Sequence, residues 1–382
     1  MQRKQFFTSI ILISILLILC VGTTAYAEEE LNQEKYEKAH VLSIQDIEAD
    51  NEDGNVFQEQ IIKAKVLSGK YKGQVLEARN TLSGSPGWDV VVEAGDEVIL
   101  YITEDADGAI NEVYVSDLAR DSFLKYLIIG FILCLVIIGG IKGIKALLAL
   151  GITALAIYKI LLPCLLQGYS PLPITILLLV GVTLITMFLV GGLTKKSIAA
   201  TIGTVGGVII AGILAIIIGD LAHLTGFATE ESRMLLYVEN LKMNIQGLLF
   251  AGIIIGALGA TMDVAISIAS SVDEVKKVKP GLKTIELFKA GMNVGRDIMG
   301  TMTNTLILAY AGGALPLLLL FLSYGTSGTR IFNSELIATE VVRALVGSIG
   351  LIFTVPITAL VASVLATKSR KNIKKTSSSI NN

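Results

Sequence analysis

Three cysteines, two histidines and one tryptophan in 382 residues leave little material for thiol or metal chemistry. Cys20 lies in the first apolar run, Cys134 and Cys164 in or at the edge of later ones, and residues 28–120 have no cysteine. Neither a disulfide framework nor a cysteine zinc site can be assembled from these. His40 has no partner for a metal, and His223 reads as an interfacial residue rather than a ligand. Charge is scarce as well. Charged residues make up 17% against 53% hydrophobic, and the mean hydropathy of +0.69 is too high for a soluble chain of this size. The chain lacks G-x-x-x-x-G-K-[ST], H-E-x-x-H, G-x-S-x-G and C-x-x-C, which argues against an ATP-driven pump and the familiar hydrolases. No enzyme activity and no cofactor are expected.

The little charge present is segregated. Residues 28–120 hold 21 acids against 8 bases, so the remainder of the chain is basic. Ahead of the acidic segment, Arg3 and Lys4 precede an apolar run from Phe6 to Gly22, and Ala25-Tyr26-Ala27 supplies the small residues of a cleavage site. Residues 1–27 read as a secretory signal peptide, the alternative being an uncleaved anchor. Leu19 before Cys20 does not suit a lipoprotein signal. In either case residues 28–120 are expected on the extracytoplasmic side.

Within 28–120, runs such as "AHVLSIQDI", "VFQEQIIKAKVL", "GQVLEARNTL", "DVVVEAGDEVILYI" and "INEVYVSDL" alternate or are β-branched, with Gly-, Asn- and Asp-rich breaks between them. Five strands predict a small OB-like β-barrel. Its strong negative charge excludes nucleic acid as partner, because phosphates would be repelled. A solvated module contacting an envelope partner or shielding the membrane part is the expected role. Trp88, beside Pro86-Gly87, is expected as a core or turn anchor.

From residue 121 to 367 the chain is a transmembrane helical domain. Seven spans are predicted, roughly 124–141, 146–166, 172–193, 197–219, 245–270, 301–322 and 336–366, the last able to tilt or kink at Pro356. Lys142, Lys145, Lys195, Lys196 and the cluster from Lys276 to Arg296 fall in alternate connections, and the basic tail 368–382 continues the pattern. The positive-inside rule then puts the N-terminus out and the C-terminus in, in a cytoplasmic membrane.

Fifth in this series, "GALGATMDVAISIASSVDEV" carries Asp263 inside an apolar helix. Gly252, Gly256 and Gly259 precede it at helical spacing and predict a small-residue face packed on a neighbouring helix. Ser267 and Ser270 continue the same face. Asp297, Thr301 and Asn304 repeat the i, i+4, i+7 spacing at the start of the sixth span. If the two helices pair, their polar faces share a depth. An unpaired carboxylate in hydrocarbon is costly, so Asp263 must be protonated, paired, hydrated or metal-bound, and all but the simple pair suggest ion or proton handling. The competing reading is a helix clamp, with hydroxyls bonded to their own i−4 carbonyls. Arg296 is a possible charge partner. Glu340 and Arg343, an i, i+3 pair in the last span, read as self-neutralising or as an outer gate. The stretch "PGLKTIELFKAGMNVGR" places Leu282, Ile285, Phe288 and Met292 on one face and predicts an in-plane amphipathic helix. Paired acids also suggest an intramembrane aspartyl enzyme, but the flanking residues match no motif of that kind.

Together, "GALGATMDVAISIASSVDEV" and "AGMNVGRDIMGTMTNTLILAYAGGALP" resemble the YibE/F family of bacterial multi-pass membrane proteins over roughly residues 120–366. The resemblance implies an exported N-terminal segment followed by a helical membrane domain. It supports Asp263, Arg296, Asp297, Thr301 and Asn304 as motif positions, and it implies no reaction or substrate. The expected function is transport of a small solute or ion coupled to a proton or cation at Asp263. The alternative is a non-transporting scaffold or signalling protein whose barrel binds an envelope partner.

Overall fold

The computed structural model describes residues 35–378 apart from 51–55, 86, 106 and 239–242, with side chains described only as far as residue 367. The expected signal peptide and the side chains of the basic tail lie outside the described residues. Strands β1 (Lys35–Asp50), β2 (Val56–Val66), β3 (Val75–Leu82), β4 (Glu97–Glu104) and β5 (Ile110–Leu118) pair in the order β1-β2-β3-β5-β4 and close back onto β1. β3 and β5 meet parallel at Arg79 and Tyr114, while the other neighbours run antiparallel. This is the predicted OB-like barrel.

Period-two alternation fills it: Val98, Leu100 and Ile102 of β4 face inward with Ala39, Val41, Ile62, Ala64, Val66 and Val113. A register shift between Val41 and Ser43 leaves Leu42 pointing out, 48% exposed. Only the second half of "DVVVEAGDEVILYI" is strand; Val92 is buried from the connection before it. Trp88 is not an anchor. It is 88% exposed, because the turn is held by Asp89, whose Oδ1 accepts from Ser83 N at 2.7 Å and Ser83 Oγ at 2.8 Å.

Helix α1 (Asp121–Ala156) begins three residues after β5. Lys38 Nζ lies 2.7 Å from both Glu97 and Asp121 and donates to Ser122 Oγ at 2.9 Å, fastening β1 and β4 to its first turn. At Gly140 the backbone leaves helical geometry (φ 53°, ψ −136°). The chain divides into two units at this point, the barrel with the helix up to Ile138 and the helices from Gly139 onward.

After α1 come a π-helical turn (Ile157–Leu161), α2 (Leu162–Leu166), α3 (Pro171–Gly191), α4 (Lys195–Leu221), the short α5 (Glu230–Met234) with a 3-10 turn (Leu235–Tyr237), α6 (Ile245–Val278), α7 (Thr284–Gly313), α8 (Leu315–Ser323), the short α9 (Gly328–Phe332) and α10 (Glu335–Ser378). Side-chain caps start several of them: Thr194 accepts from Ser197 N, Thr229 from Ser232 N, Asn244 from Gly247 N and Ser327 from Arg330 N.

Among the described residues five helical segments are long and apolar enough to cross a membrane, or six if the bent pair α7 and α8, angled at 55°, is one span. The predicted count of seven is thus approximate. The two spans predicted at 124–141 and 146–166 fall in a single 46-residue segment interrupted by Gly140 rather than by a polar loop. At about 1.5 Å per residue it is roughly 70 Å of helix, about twice a 30 Å hydrocarbon core. Pro356 sits inside α10 without ending it.

Glycine sets the packing of the membrane unit. Where α4 meets α10, a Cβ at Gly207 would overlap Thr354 Oγ1 and lie 2.6 Å from the Gly350 carbonyl, and one at Gly203 would overlap Thr358 Oγ1. Without a hydrophobic drive between helices in lipid, such close backbone approach is what favours association. α6 is the central element, burying Ile253, Ile254, Ala257, Val264, Ala265 and Ile268.

The stretch predicted to lie in the membrane plane is the first half of α7, continuous with the start of the segment predicted as the sixth span. It packs into the core: Leu287 is fully buried, and Gly291 and Gly295 let α7 press against Val272 and Ile268 of α6 and against Ala359 and Val355 of α10. Its most buried line is Leu287-Gly291-Gly295; of the predicted apolar face Leu282, Phe288 and Met292 are half-buried against the same core, and Ile285 is 57% exposed.

Candidate functional site

Three contacts fix how α6 and α7 run past each other. Val272 meets Gly291, Ile268 meets Gly295, and the Tyr310 hydroxyl sits 2.5 Å from where a Cβ at Gly256 would be. The helices are antiparallel, and Asp263 falls about level with Thr301. The predicted shared depth of the two polar faces is present in the structure.

Contact between the faces is not. α6 turns Ile253, Ala257, Val264 and Ile268 inward, and an adjoining face carries Gly252, Gly256, Gly259 and Asp263, all exposed, followed by half-buried Ser267 and Ser270. Nothing lies within 4 Å of a Cβ built at Gly252 or Gly259. The small-residue face expected to pack on a neighbour is open within this chain, apart from Tyr310 over Gly256. The reason is geometric: α6 meets its neighbours through Ala and β-branched residues a third of a turn away, so its glycines are left over. On α7, Arg296, Asp297, Thr301 and Asn304 are likewise exposed, because Gly291 and Gly295 occupy the buried side.

Asp263, Asp297 and Arg296 form no ion pair among the described residues, and no hydrogen bond joins Asp263 to Ser267, Asp297, Thr301 or Asn304 there. The hydroxyls are partly committed. Thr301 Oγ1 donates to Ile298 O at 2.9 Å, and Thr305 Oγ1 to Thr301 O at 3.0 Å. A hydroxyl whose proton is bound to its own backbone presents lone pairs outward. The α7 face therefore offers oxygen acceptors beside the carboxylates, a set that suits a small cation or a proton relay. Among the described residues no group of three or more His, Cys, Asp or Glu is arranged to hold a metal ion.

At the far end of the same helix pair, Tyr310 lines a cavity of about 330 Å³ together with Thr229, Thr339, Glu340, Arg343 and apolar residues of α7, α8 and α10. Glu340 and Arg343 meet, Arg343 Nη2 lying 3.5 Å from Glu340 Oε1, and both are about one-third exposed. Thr339 is buried, and neither its hydroxyl nor Arg343 Nε has a hydrogen-bond partner among the described residues. Near this end Glu335 Oε1 accepts from Thr225 N and Thr225 Oγ1 at 2.7 Å and from Gly226 N at 3.2 Å, tying the connection after α4 to the start of α10.

Sequence reasoning passed over Tyr310, Thr339 and Glu335. Tyr310 carried one usable signal, as the lone tyrosine in an apolar run just before Gly312-Gly313. Thr339 and Glu335 carried none, since their roles depend on which helices meet.

A closed barrel followed by long apolar helices, with carboxylates and hydroxyls on the spanning segments, defines a multi-pass helical membrane protein. Residues 127–368 match the YibE/F-like protein family and residues 32–118 match the YibE/F family N-terminal domain. The chain belongs to the YibE/F family. No curated protein and no solved structure matches it.

Proposed function

We propose that the chain is a permease of the bacterial cytoplasmic membrane, moving a small solute or ion along the open faces of α6 and α7 and coupling it to a proton or cation at Asp263. The observation that carries this reading is Asp263 itself. It sits in an apolar spanning helix, on an open glycine face, with no basic or amide partner among the described residues. A carboxylate that merely clamps helices would be buried against such a partner; one that handles ions needs access. Tyr310 extends the same open face to the cavity beside Glu340 and Arg343. The distribution of lysine and arginine supports a barrel on the extracytoplasmic side, and the missing hydrolase and nucleotide motifs support a non-enzymatic role.

Single cysteines at Gly256, Gly259, Ser267, Thr301 and Asn304, in protein freed of its native cysteines, test whether this face is wet. Membrane-impermeant charged maleimides should label them in whole cells or inverted vesicles. If all five react only with apolar reagents, the face looks onto lipid and the permease reading fails.

A second reading, a scaffold whose barrel binds an envelope partner, is favoured by Trp88, which projects 88% exposed with Val91 62% exposed nearby. Aromatic side chains presented in this way are common anchors of protein interfaces. On that reading Trp88→Ala reproduces whatever growth defect deletion of the whole chain causes while Asp263→Asn does not; on the permease reading the order is reversed.

A further inference from the structure

We infer that the cavity bounded by Tyr310, Thr339, Glu340 and Arg343 binds a small zwitterion with an aliphatic body, such as an aliphatic α-amino acid. Naming that molecule as the transported solute rests on the permease reading above; the binding itself rests on the cavity.

Its volume of about 330 Å³ is enough for a small organic molecule. Its charges are one carboxylate and one guanidinium, adjacent but loosely joined: a single Arg343 Nη2 to Glu340 Oε1 approach at 3.5 Å, far from the two-pronged contact a guanidinium makes when it is satisfied. Arg343 Nε and the Thr339 hydroxyl are buried without partners among the described residues. In the interior of a membrane protein, an unmet donor is costly unless water or a ligand meets it. Elsewhere in α10 the Thr354 hydroxyl donates to its own backbone at Gly350 O, 3.0 Å away, whereas Thr339, like Ser348 and Thr358, has no such bond among the described residues; Thr339 is the one of these three that lines the cavity.

The sign of the lining selects the ligand. A bare cation would face one carboxylate with a guanidinium beside it, and a bare anion would face the reverse. A molecule carrying both charges satisfies both groups at once, its carboxylate or phosphate on Arg343 and its ammonium on Glu340. The remaining wall, Ala309, Ala314, Leu317 and Leu336, accepts an aliphatic body and offers no further charge. Free amino acids have this chemistry, and so does the headgroup of phosphatidylethanolamine.

The test uses the full-length protein in nanodiscs of phosphatidylglycerol, which has no cationic group. Calorimetric titration compares alanine, valine and leucine with isobutylamine and isovalerate, the halves of valine that keep one charge each. At least one amino acid should bind, with the single-charge analogues at least tenfold weaker, and Glu340→Gln or Arg343→Gln should weaken binding at least tenfold. Should those variants misfold, the charge exchange Glu340→Arg with Arg343→Glu retains both charges and should retain binding. Native mass spectrometry after adding phosphatidylethanolamine separates the sources: selective retention of that lipid, lost in Arg343→Gln, with no amino-acid binding assigns the zwitterion to the bilayer. If no amino acid and no phosphatidylethanolamine binds in a way that depends on Glu340 and Arg343, or if isobutylamine or isovalerate binds as well as valine, the inference is overturned. Binding that depends on Glu340 and Arg343 in a protein whose α6 and α7 faces no charged maleimide reaches would keep the site and remove the permease reading, so loss of the one and loss of the other give different results.

Discussion

At Gly207 a single hydrogen in place of a methyl group decides whether α4 and α10 can touch, because a Cβ there would meet both Thr354 and the Gly350 carbonyl. The backbone carbonyl cannot rotate away, so the helices must separate. Gly207→Ala is expected to destabilise the membrane unit by about 1–3 kcal/mol, the usual cost of overpacking a tight contact. Gly252→Ala, with open space around it, should change stability by less than about 0.5 kcal/mol. Denaturant unfolding in detergent distinguishes them, and equal costs would mean that the open face of α6 is covered by something. A comparable argument applies in the barrel. The Lys38 ammonium beside Glu97 holds that carboxyl below the usual carboxylate range. A depressed carboxyl pKa contributes stability that is fully present above its unfolded value and is lost as pH falls through the folded value. Protection from hydrogen exchange in the full chain, referred to the intrinsic rate at each pH, should therefore fall in β1, β4 and the first turn of α1 as pH drops through and below the carboxylate range. In Lys38→Met the loosening should already be present at neutral pH, with less further change on acidification.

At the scale of elements, Gly140 shows what a sequence pattern misses. The apolar run either side of it and the lysines at 142 and 145 predicted two spans with a loop between them, whereas the chain makes the break in one residue of positive φ. Hydropathy reports the length of apolar chain, and a one-residue break leaves no polar gap to read. Gly140→Ala should cost about 1–3 kcal/mol, since an L side chain rarely adopts that backbone conformation, while Gly139→Ala, which meets no neighbour, should be tolerated. Matching unfolding midpoints for the two variants would contradict the break. The packed face of α7 was legible in part. Leu282, Phe288 and Met292 of the predicted stripe do pack half-buried against the core, but the fully buried line is Leu287, Gly291 and Gly295, because the glycines admit α6 and α10 more closely than larger side chains can. A hydropathy stripe weighs side-chain polarity and is blind to that steric preference. The barrel was more legible, because strand alternation in "DEVILYI" and its companions marks inside from outside directly. Trp88 was misplaced because its size suggested burial, while the local turn chemistry of Ser83 and Asp89 decided the matter.

At the scale of the whole molecule, an acidic barrel precedes a basic, glycine-rich helical unit, and charge segregation along the chain already separated the two. The sequence also carried the spacing of Asp263 with Ser267 and Ser270 and of Asp297 with Thr301 and Asn304, and the antiparallel α6 and α7 bring both to one level. What it did not carry is the direction these faces point, because that depends on which other face of each helix packs better. The outcome, two polar faces level with each other and open, is the feature on which the permease account depends. Its most direct test is labelling of the reconstituted full-length protein with a hydrophobic carbodiimide across a range of pH, with Asp263→Asn as the blank and with sodium or potassium added. The account predicts that Asp263 is modified and that one of these cations, or rising pH, protects it. An Asp263 that stays unreactive at every pH, in protein whose Asn variant only unfolds at lower temperature, would contradict it and make the residue a helix clamp.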